Sequence, residues 1–177
     1  LYSQATSFPL VAAVVGPMLW RASQAAQLAR ASEVYEQAPV PAVQRLLIVG
    51  DSTAVGTGAS APVHTLAGLI GQAHPRLHID NRARDGATFK DLLPQLQGSE
   101  RYDLVLVQAG GNDVIRMRNL DTVASDIEQV LRRAGARGHR VIIMPAGNVG
   151  NAAFFVPPRS AYVSQVPRRR SAVARPM

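Results

Sequence analysis

From Arg45 onward, apolar runs of strand length alternate with amphipathic stretches of helix length. Two of the runs, Leu104–Val107 and Val141–Met144, are apolar at every position, which is typical of strands buried on both faces. The pattern predicts strands at Arg45–Val49, Leu77–Asn81, Asp103–Gln108 and Arg140–Met144, and helices at Pro62–Ala73, Thr88–Leu96 and Asp121–Ala134. This alternation predicts an α/β fold, in which helices cover both sides of a parallel sheet.

Residue types at the predicted helix ends suggest where two of the helices begin and stop. Ser60 is a candidate N-cap for the first helix, with Pro62 in its first turn. Gly135 is a candidate terminator for the third helix, because glycine readily adopts the backbone conformation that ends a helix. We therefore expect the first helix to be capped at Ser60 and the third to stop at Gly135.

The pattern also divides the chain into three regions. Residues 1–44 contain an N-terminal apolar segment and a linker, residues 45–150 form the folded domain, and residues 151–177 form an irregular basic tail. The linker is assigned to Glu36–Gln44 because this stretch carries two prolines. A chain of 177 residues that is 47% hydrophobic can bury one substantial core, so one domain is expected.

The formal net charge of +7 raises the possibility of nucleic-acid binding. The distribution of that charge argues against it, because the densest run, Arg168–Arg170, lies near the end of the chain without interleaved aromatic residues to stack on bases. We therefore expect a solvated or disordered tail and no nucleic-acid partner. The chain has no cysteine, which excludes thiol catalysis.

The apolar segment Phe8–Trp20 is too short to span a bilayer comfortably and is interrupted by proline and glycine. Its length suits the apolar part of an export signal, although no basic residue precedes it. We expect export or membrane association through this segment. The alternative is a short helix packed on the domain.

Polar or glycine-rich stretches follow three of the predicted strands. They are Gly50–Ser52, Ala83–Thr88 and Ala109–Asp113. The carboxyl ends of parallel strands lie at one edge of the sheet, where ligands bind in open α/β folds. We therefore expect the three stretches to converge at this edge.

Together these residue types indicate acyl transfer. Ser52 follows a strand in a tight turn that exposes its hydroxyl, as a nucleophile requires. The backbone N–H groups of Ser52 and Gly86 and the side-chain amide of Asn112 are candidate donors to the oxyanion of a tetrahedral intermediate. Asp51 and Asp113 are expected to be structural and to accept hydrogen bonds from loop N–H groups.

The stretch "VGDSTAVG", the Gly86 loop and "GGND" resemble, in order and context, the first three sequence blocks of the SGNH (GDSL-type) ester hydrolases. The resemblance implies a flavodoxin-like three-layer α/β/α sandwich, Ser52 as the nucleophile, and Ser52, Gly86 and Asn112 as the oxyanion hole. It also implies a small acyl-ester substrate and no cofactor or metal.

The fourth block of that family, an Asp-x-x-His pair that supplies the base, has no counterpart, since no Asp in the chain is followed by His three residues later. We therefore expect a truncated or frame-shifted hydrolase with impaired activity. His64 is the alternative base, because His78 and His139 enter predicted strands and so lie about 17 Å from the Ser52 edge. His74 closes a helix that runs toward the same far edge.

Two other functions remain open. "GTGASA", Gly56–Ala61, fits the G-x-G-x-x-A fingerprint of dinucleotide binding, but it begins six residues after Gly50 instead of directly at the strand end. A non-catalytic domain that keeps the hydrolase fold is the second alternative. Metal catalysis has little support, because the four histidines are scattered and none pairs with an acid at ligand spacing.

Overall fold

The computed structural model describes residues 20, 23–24 and 27–145 of the chain. It divides the protein into two compact units, Leu1–Ala31 and Ser32–Met177. The described residues of the first unit are helical. Apart from Trp20, the apolar segment expected to direct export lies outside the described residues, and so does the basic tail. In the described part of the chain, no helix is both long and apolar enough to cross a bilayer.

The second unit is built on a sheet of four parallel strands in the order β2-β1-β3-β4. The strands are β1 (Gln44–Gly50), β2 (Leu77–Asn81), β3 (Tyr102–Ala109) and β4 (Gly138–Pro145). All four predicted strands are confirmed, and each ends within two residues of its predicted bounds. The long apolar runs marked them correctly because β1 and β3 are central strands, covered on both faces.

Five α-helices flank the sheet: α1 (Ser52–Val55), α2 (Leu66–Ala73), α3 (Leu92–Gln95), α4 (Gly111–Ile115) and α5 (Leu120–Arg137). Alternate residues of β1 point to opposite faces of the sheet. Leu46 and Ile48 pack with α1 and α2, whereas Leu47 and Val49 pack with α3 and α5. The predicted α/β fold with helices on both faces of a parallel sheet is therefore confirmed.

Helix α2 is shorter than predicted, and Ser60 is not its N-cap. The segment Pro62–His64 is a turn of 3-10 helix, and Thr65 then breaks the run with an extended backbone. The Thr65 hydroxyl accepts a hydrogen bond from Gly68 N–H at 3.1 Å and so caps α2. The Ser60 hydroxyl is instead 2.8 Å from His64 Nδ1.

The predicted helix at Thr88–Leu96 is also divided. Phe89–Asp91 forms a 3-10 turn and Leu92–Gln95 the short helix α3. Thr88 and Asp91 make a reciprocal capping box, in which the Asp91 carboxylate accepts from both Thr88 N–H and its hydroxyl.

Helix α5 passes through Gly135 and ends at Arg137, with Gly138 as its C-cap, so the predicted terminator is wrong. The physical reason lies in Arg137, whose buried guanidinium donates to the backbone carbonyls of Leu96 and Glu100. Arg137 is the last helical residue, two positions beyond the expected stop, and these hydrogen bonds hold it there. The tendency of Gly135 to end a helix did not outweigh these hydrogen bonds.

The segment before β1, interpreted as a linker, is attached to the sheet. Gln37 and Ile79 exchange backbone hydrogen bonds of 3.1 and 2.8 Å, which forms an isolated antiparallel bridge on the outer edge of β2. The Gln37 side-chain amide also donates to Leu77 O at 2.8 Å. This segment therefore satisfies backbone groups of an edge strand that would otherwise be open.

Candidate active site

Ser52 lies at the carboxyl end of β1, in a turn that leaves little room. A Cβ at Gly50 would lie 2.1 Å from Gln108 O and 2.7 Å from the Ala54 Cβ, so only glycine fits there. Asp51 is extended, and its carboxylate caps α1 by accepting from Thr53 N–H at 2.9 Å. Ser52 is therefore the first residue of α1, where its own N–H has no intrahelical partner.

The Ser52 side chain is half-buried and remains available for chemistry. Among the described residues, no side chain or backbone group hydrogen-bonds its hydroxyl. The helix ends after four residues at Gly56, which adopts a left-handed conformation with φ of +85°. The tight turn predicted around Ser52 is therefore present, and it includes a one-turn helix that the sequence pattern did not reveal.

The Gly86 loop is tied to this turn by two hydrogen bonds. Arg84 N–H donates to Gly50 O at 3.1 Å, and the Thr57 hydroxyl donates to the Asp85 carboxylate at 2.5 Å. Gly86 has a left-handed backbone with φ of +74°, which glycine adopts without steric cost. No acceptor for the Gly86 N–H occurs among the residues the structure describes, so this donor is free to meet a ligand.

Asn112 comes from α4, which follows β3 through Gly110, a residue with φ of +123°. Its side-chain amide donates to Ala87 O at 3.0 Å. A primary amide carries two N–H donors, so the second remains available. The loop after β3 is thus joined directly to the Gly86 loop.

The remaining link joins the end of β3 to the Ser52 turn. Asp51 N–H donates to Gln108 O, near the end of β3, at 3.0 Å, and the nearby Gly110 N–H partly offsets the effect of burial, which raises the pKa of the Asp51 carboxylate. The Ser52 turn, the Gly86 loop and the end of β3 that leads to Asn112 are therefore held to one another. The structure brings the neighbourhoods of Ser52, Gly86 and Asn112 together at one edge of the sheet, as the sequence pattern predicts.

Two buried carboxylates lie beneath this edge. Burial raises the pKa of Asp51, and the nearby Asp113 raises it further, while hydrogen bonds from Thr53 partly offset both effects. Asp113 accepts from Phe89 N–H at 3.0 Å and from the Arg118 guanidinium at 2.6 Å. Both acids accept hydrogen bonds from backbone N–H groups, which is a structural role as expected, although the donors Thr53 and Phe89 lie in short helical turns instead of loops.

Sequence reasoning missed several residues that shape the site. The buried Gln95 side chain accepts from Gly50 N–H at 2.8 Å and donates to Gly50 O at 3.1 Å, so it holds the turn before Ser52 from below. Arg116 donates to Gly86 O at 2.9 Å. Arg118 bridges Asp113 and Asp126. No local sequence signal marks these residues, because their partners are set by the fold.

The histidines do not complete a catalytic triad in the described part of the chain. His64 is exposed, and its Nδ1 atom meets the Ser60 hydroxyl, with no carboxylate bonded to the ring. His74 is the C-cap of α2, and His78 and His139 lie in β2 and β4. Within residues 27–145, no three acidic or histidine side chains cluster as a metal site would require.

The dinucleotide fingerprint is also misplaced in three dimensions. Helix α1 separates β1 from Gly56, where the fingerprint begins. A dinucleotide site needs its first glycine directly at the strand end, so that the pyrophosphate meets the following helix N-terminus. Here the residues at that strand end are Gly50, Asp51 and Ser52.

The model of the GDSL-like lipase/acylhydrolase family matches residues 48–176. The chain belongs to this family. A GDSL-like esterase of Mycobacterium tuberculosis is 28% identical over 120 residues, which is 63% of this chain and 38% of that protein. The chain therefore spans less than two thirds of the curated relative that it matches.

Solved structures share the fold of this GDSL-like chain at low identity. An acetylxylan esterase from Geobacillus stearothermophilus superposes with a TM-score of 0.52 at 20% identity, covering 70% of this chain and 68% of the other. AlinE4, an SGNH-hydrolase family esterase, gives a TM-score of 0.51 at 19% identity, with 68% and 70% covered. At these identities the likeness concerns the fold alone.

Proposed function

We propose that the chain hydrolyses small or single-chain acyl esters, with Ser52 as the nucleophile. The observation that carries this proposal is the hydrogen bonding that holds together the Ser52 turn, the Gly86 loop and the segment from the end of β3 to Asn112. It gathers one unpaired hydroxyl and three candidate oxyanion donors at one edge of the sheet. Membership of the GDSL-like lipase/acylhydrolase family supports the same reaction.

In the proposed reaction, Ser52 Oγ forms a bond to the carbonyl carbon of the ester as its proton passes to a base. The carbonyl oxygen becomes an oxyanion and accepts hydrogen bonds from the N–H groups of Ser52 and Gly86 and from the Asn112 amide. The base returns the proton to the leaving alcohol, and an acyl-enzyme forms. Water then attacks the acyl group by the same steps and regenerates the Ser52 hydroxyl.

The base determines how fast this reaction can run. In a well-studied serine hydrolase, loss of the base costs about 10⁶ in kcat, and only binding and the oxyanion hole still contribute. The sequence holds no Asp-x-x-His pair. We therefore expect slow turnover by the 177-residue chain. His64 is the first residue to test as a substitute base.

The test is prolonged labelling with a fluorophosphonate, followed by peptide mass mapping, together with hydrolysis of p-nitrophenyl acetate. We expect slow labelling at Ser52 and hydrolysis of p-nitrophenyl acetate only a little faster than that of Ser52→Ala, because no base activates the hydroxyl. In a protein that has its base, Asn112→Ala should lower kcat by about 10²–10³, the usual loss for one oxyanion donor. Ser99→Ala, which changes an exposed serine outside the site, is the matched control.

Equal rates for the unaltered chain and Ser52→Ala, with no adduct at Ser52, would contradict the proposal and favour a non-catalytic domain. Rapid labelling at Ser52 would show that a base is present. In that case His64→Ala should abolish the labelling if His64 is that base.

A further inference from the structure

Among the candidate oxyanion donors, the Gly86 N–H is the one held least firmly by the surrounding protein. A pocket of about 620 Å³ lies along the loop from Asn81 to Ala87 and is bounded on another side by Arg116. The loop is therefore not packed against protein on that side. Glycine adopts positive and negative φ about equally readily, so its own conformational preference does not hold Gly86 at +74°.

Hydrogen bonds from one short helix hold two consecutive carbonyls of this loop. Asn112 Nδ2 donates to Ala87 O at 3.0 Å, and an Arg116 Nη donates to Gly86 O at 2.9 Å. Asn112 in α4 and Arg116, the C-cap residue of that helix, are four residues apart, so both side chains leave on the same side. Arg116 N–H also donates to Asn112 O at 3.0 Å, which closes the last turn of the helix between them.

The neighbours of Arg116 suit this position. The guanidinium lies near Asp91, whose pKa is held low first by hydrogen bonds from Thr88 and, to a smaller extent, by Arg116 itself. On the other side of Gly86, the Asp85 carboxylate is held by the Thr57 hydroxyl. Gly86 is thus restrained on both sides, by Thr57 through Asp85 and by Arg116 through its own carbonyl.

We propose that Arg116 is a positioning residue. By holding Gly86 O it fixes the Gly86–Ala87 peptide and so limits rotation about the Gly86 backbone bonds, which keeps the N–H of the preceding Asp85–Gly86 peptide aimed at the oxyanion. This inference rests on the proposed function, since it takes the Gly86 N–H as an oxyanion donor. Arg116 touches neither the ester nor Ser52 in this role. It acts through Gly86, and because Arg116 is the C-cap residue of α4 it ties Gly86 to the helix that carries Asn112.

The first arm of the test is nuclear magnetic resonance of the full chain, which observes the Gly86 amide without any substrate. We expect one sharp Gly86 amide signal in the unaltered chain and a broadened, doubled or shifted signal in Arg116→Met. Arg116→Lys, which can still donate a hydrogen bond, should restore much of the original signal. Arg133→Met, on the exposed side of α5, is the matched control and should leave the signal unchanged.

The second arm is the kinetics of ester hydrolysis by the same variants. In Arg116→Met we expect kcat to fall about 10- to 100-fold, less than for outright removal of a donor, with little change in KM. An unaltered Gly86 signal in Arg116→Met, or a rise in KM at constant kcat, would overturn the inference. If the chain shows no Ser52-dependent turnover but the Gly86 signal still responds, the proposed function fails while the positioning role stands.

Discussion

Asp51 serves the site through its backbone and its side chain at once. Its carboxylate caps the helix that begins with Ser52, and its backbone N–H donates to Gln108 O near the end of β3. The side chain is buried, and Asp113 lies close by. Burial and the second carboxylate therefore raise the pKa of Asp51, so ionising it costs more in the folded protein than in the unfolded chain.

We predict that Asp51→Asn gains stability relative to the unaltered chain as the pH rises. The pKa of Asp51 is higher in the folded protein than its value of about 3.9 in the unfolded chain. The unfolded chain therefore loses this proton first, and the fold loses stability as the pH rises from the unfolded pKa to the folded pKa. Asparagine keeps an oxygen that can accept from Thr53 N–H but carries no charge. The difference in Tm between the two proteins, followed from about pH 3.5 to neutrality, should move in favour of Asp51→Asn.

Asp121→Asn, which removes an exposed carboxylate from the first turn of α5, corrects for the loss of one negative charge. A difference that moved in favour of the unaltered chain as the pH rose would contradict this account of Asp51. It would mean that the hydrogen bonds to the carboxylate outweigh its burial.

At the scale of helices and strands, the sequence predicts the elements that are long enough to show a regular pattern of apolar residues. The strands were found because β1 and β3 are long apolar runs, and the positions of Ser52, Gly86 and Asn112 follow from the strand ends. Helices α1 and α4 were missed because four and five residues are too few to show a helical period. They are defined by caps and by hydrogen bonds to other loops.

Residues with distant partners were also beyond prediction. Gln95 and Gly50 are 45 positions apart, and Arg116 and Gly86 are 30 positions apart. A glutamine in an amphipathic stretch and an arginine at the end of a loop have no local feature that identifies such partners. Only the packing of α3 and α4 against the sheet edge brings them to the candidate site.

Two glycine substitutions separate helix propensity from close packing. In α5, a Cβ at Gly135 would meet no atom within 4 Å, so Gly135→Ala should stabilise the protein by about 0.5–1 kcal/mol. At Gly50, the new Cβ would clash with Gln108 O and the Ala54 Cβ, so Gly50→Ala should cost about 1–3 kcal/mol. Urea unfolding of both variants measures the difference, and changes of the same sign would contradict this account.

Across the described part of the second unit, two arginines, one half-buried and one buried, attach α5 to the rest of the fold. Arg118 lies between α4 and α5, and its guanidinium bridges Asp113, beside Asn112, to Asp126 on α5 at 2.6 and 2.8 Å. At the far end of α5, Arg137 donates to Leu96 O. Helix α5 is therefore fixed by charged groups at Asp126 and at Arg137, and by Val130 and Ala134 against the sheet.

The consequence is a prediction for Arg118→Met. The substitution leaves the carboxylate of Asp113, which is 3% exposed, without its counter-charge and close to Asp51. Breaking a buried pair from one side typically costs about 3–5 kcal/mol, and the partial exposure of Arg118 places our expectation near the lower end. Arg118→Lys keeps the charge but cannot bridge both acids equally well, so it should recover part of the free energy of unfolding.

Arg132→Met is the matched control on the same helix. Arg132 and Glu128 form an ion pair of 3.8 Å, but both side chains are about 70% exposed, so its loss should change the free energy of unfolding by less than about 1 kcal/mol. Equal losses in the free energy of unfolding for Arg118→Met and Arg132→Met, measured with denaturant, would contradict the role given to Arg118 as a link between Asp113 and Asp126. A large loss at Arg118 alone would show that the loop carrying Asn112 is held by α5, because Arg118 is the charged link between them.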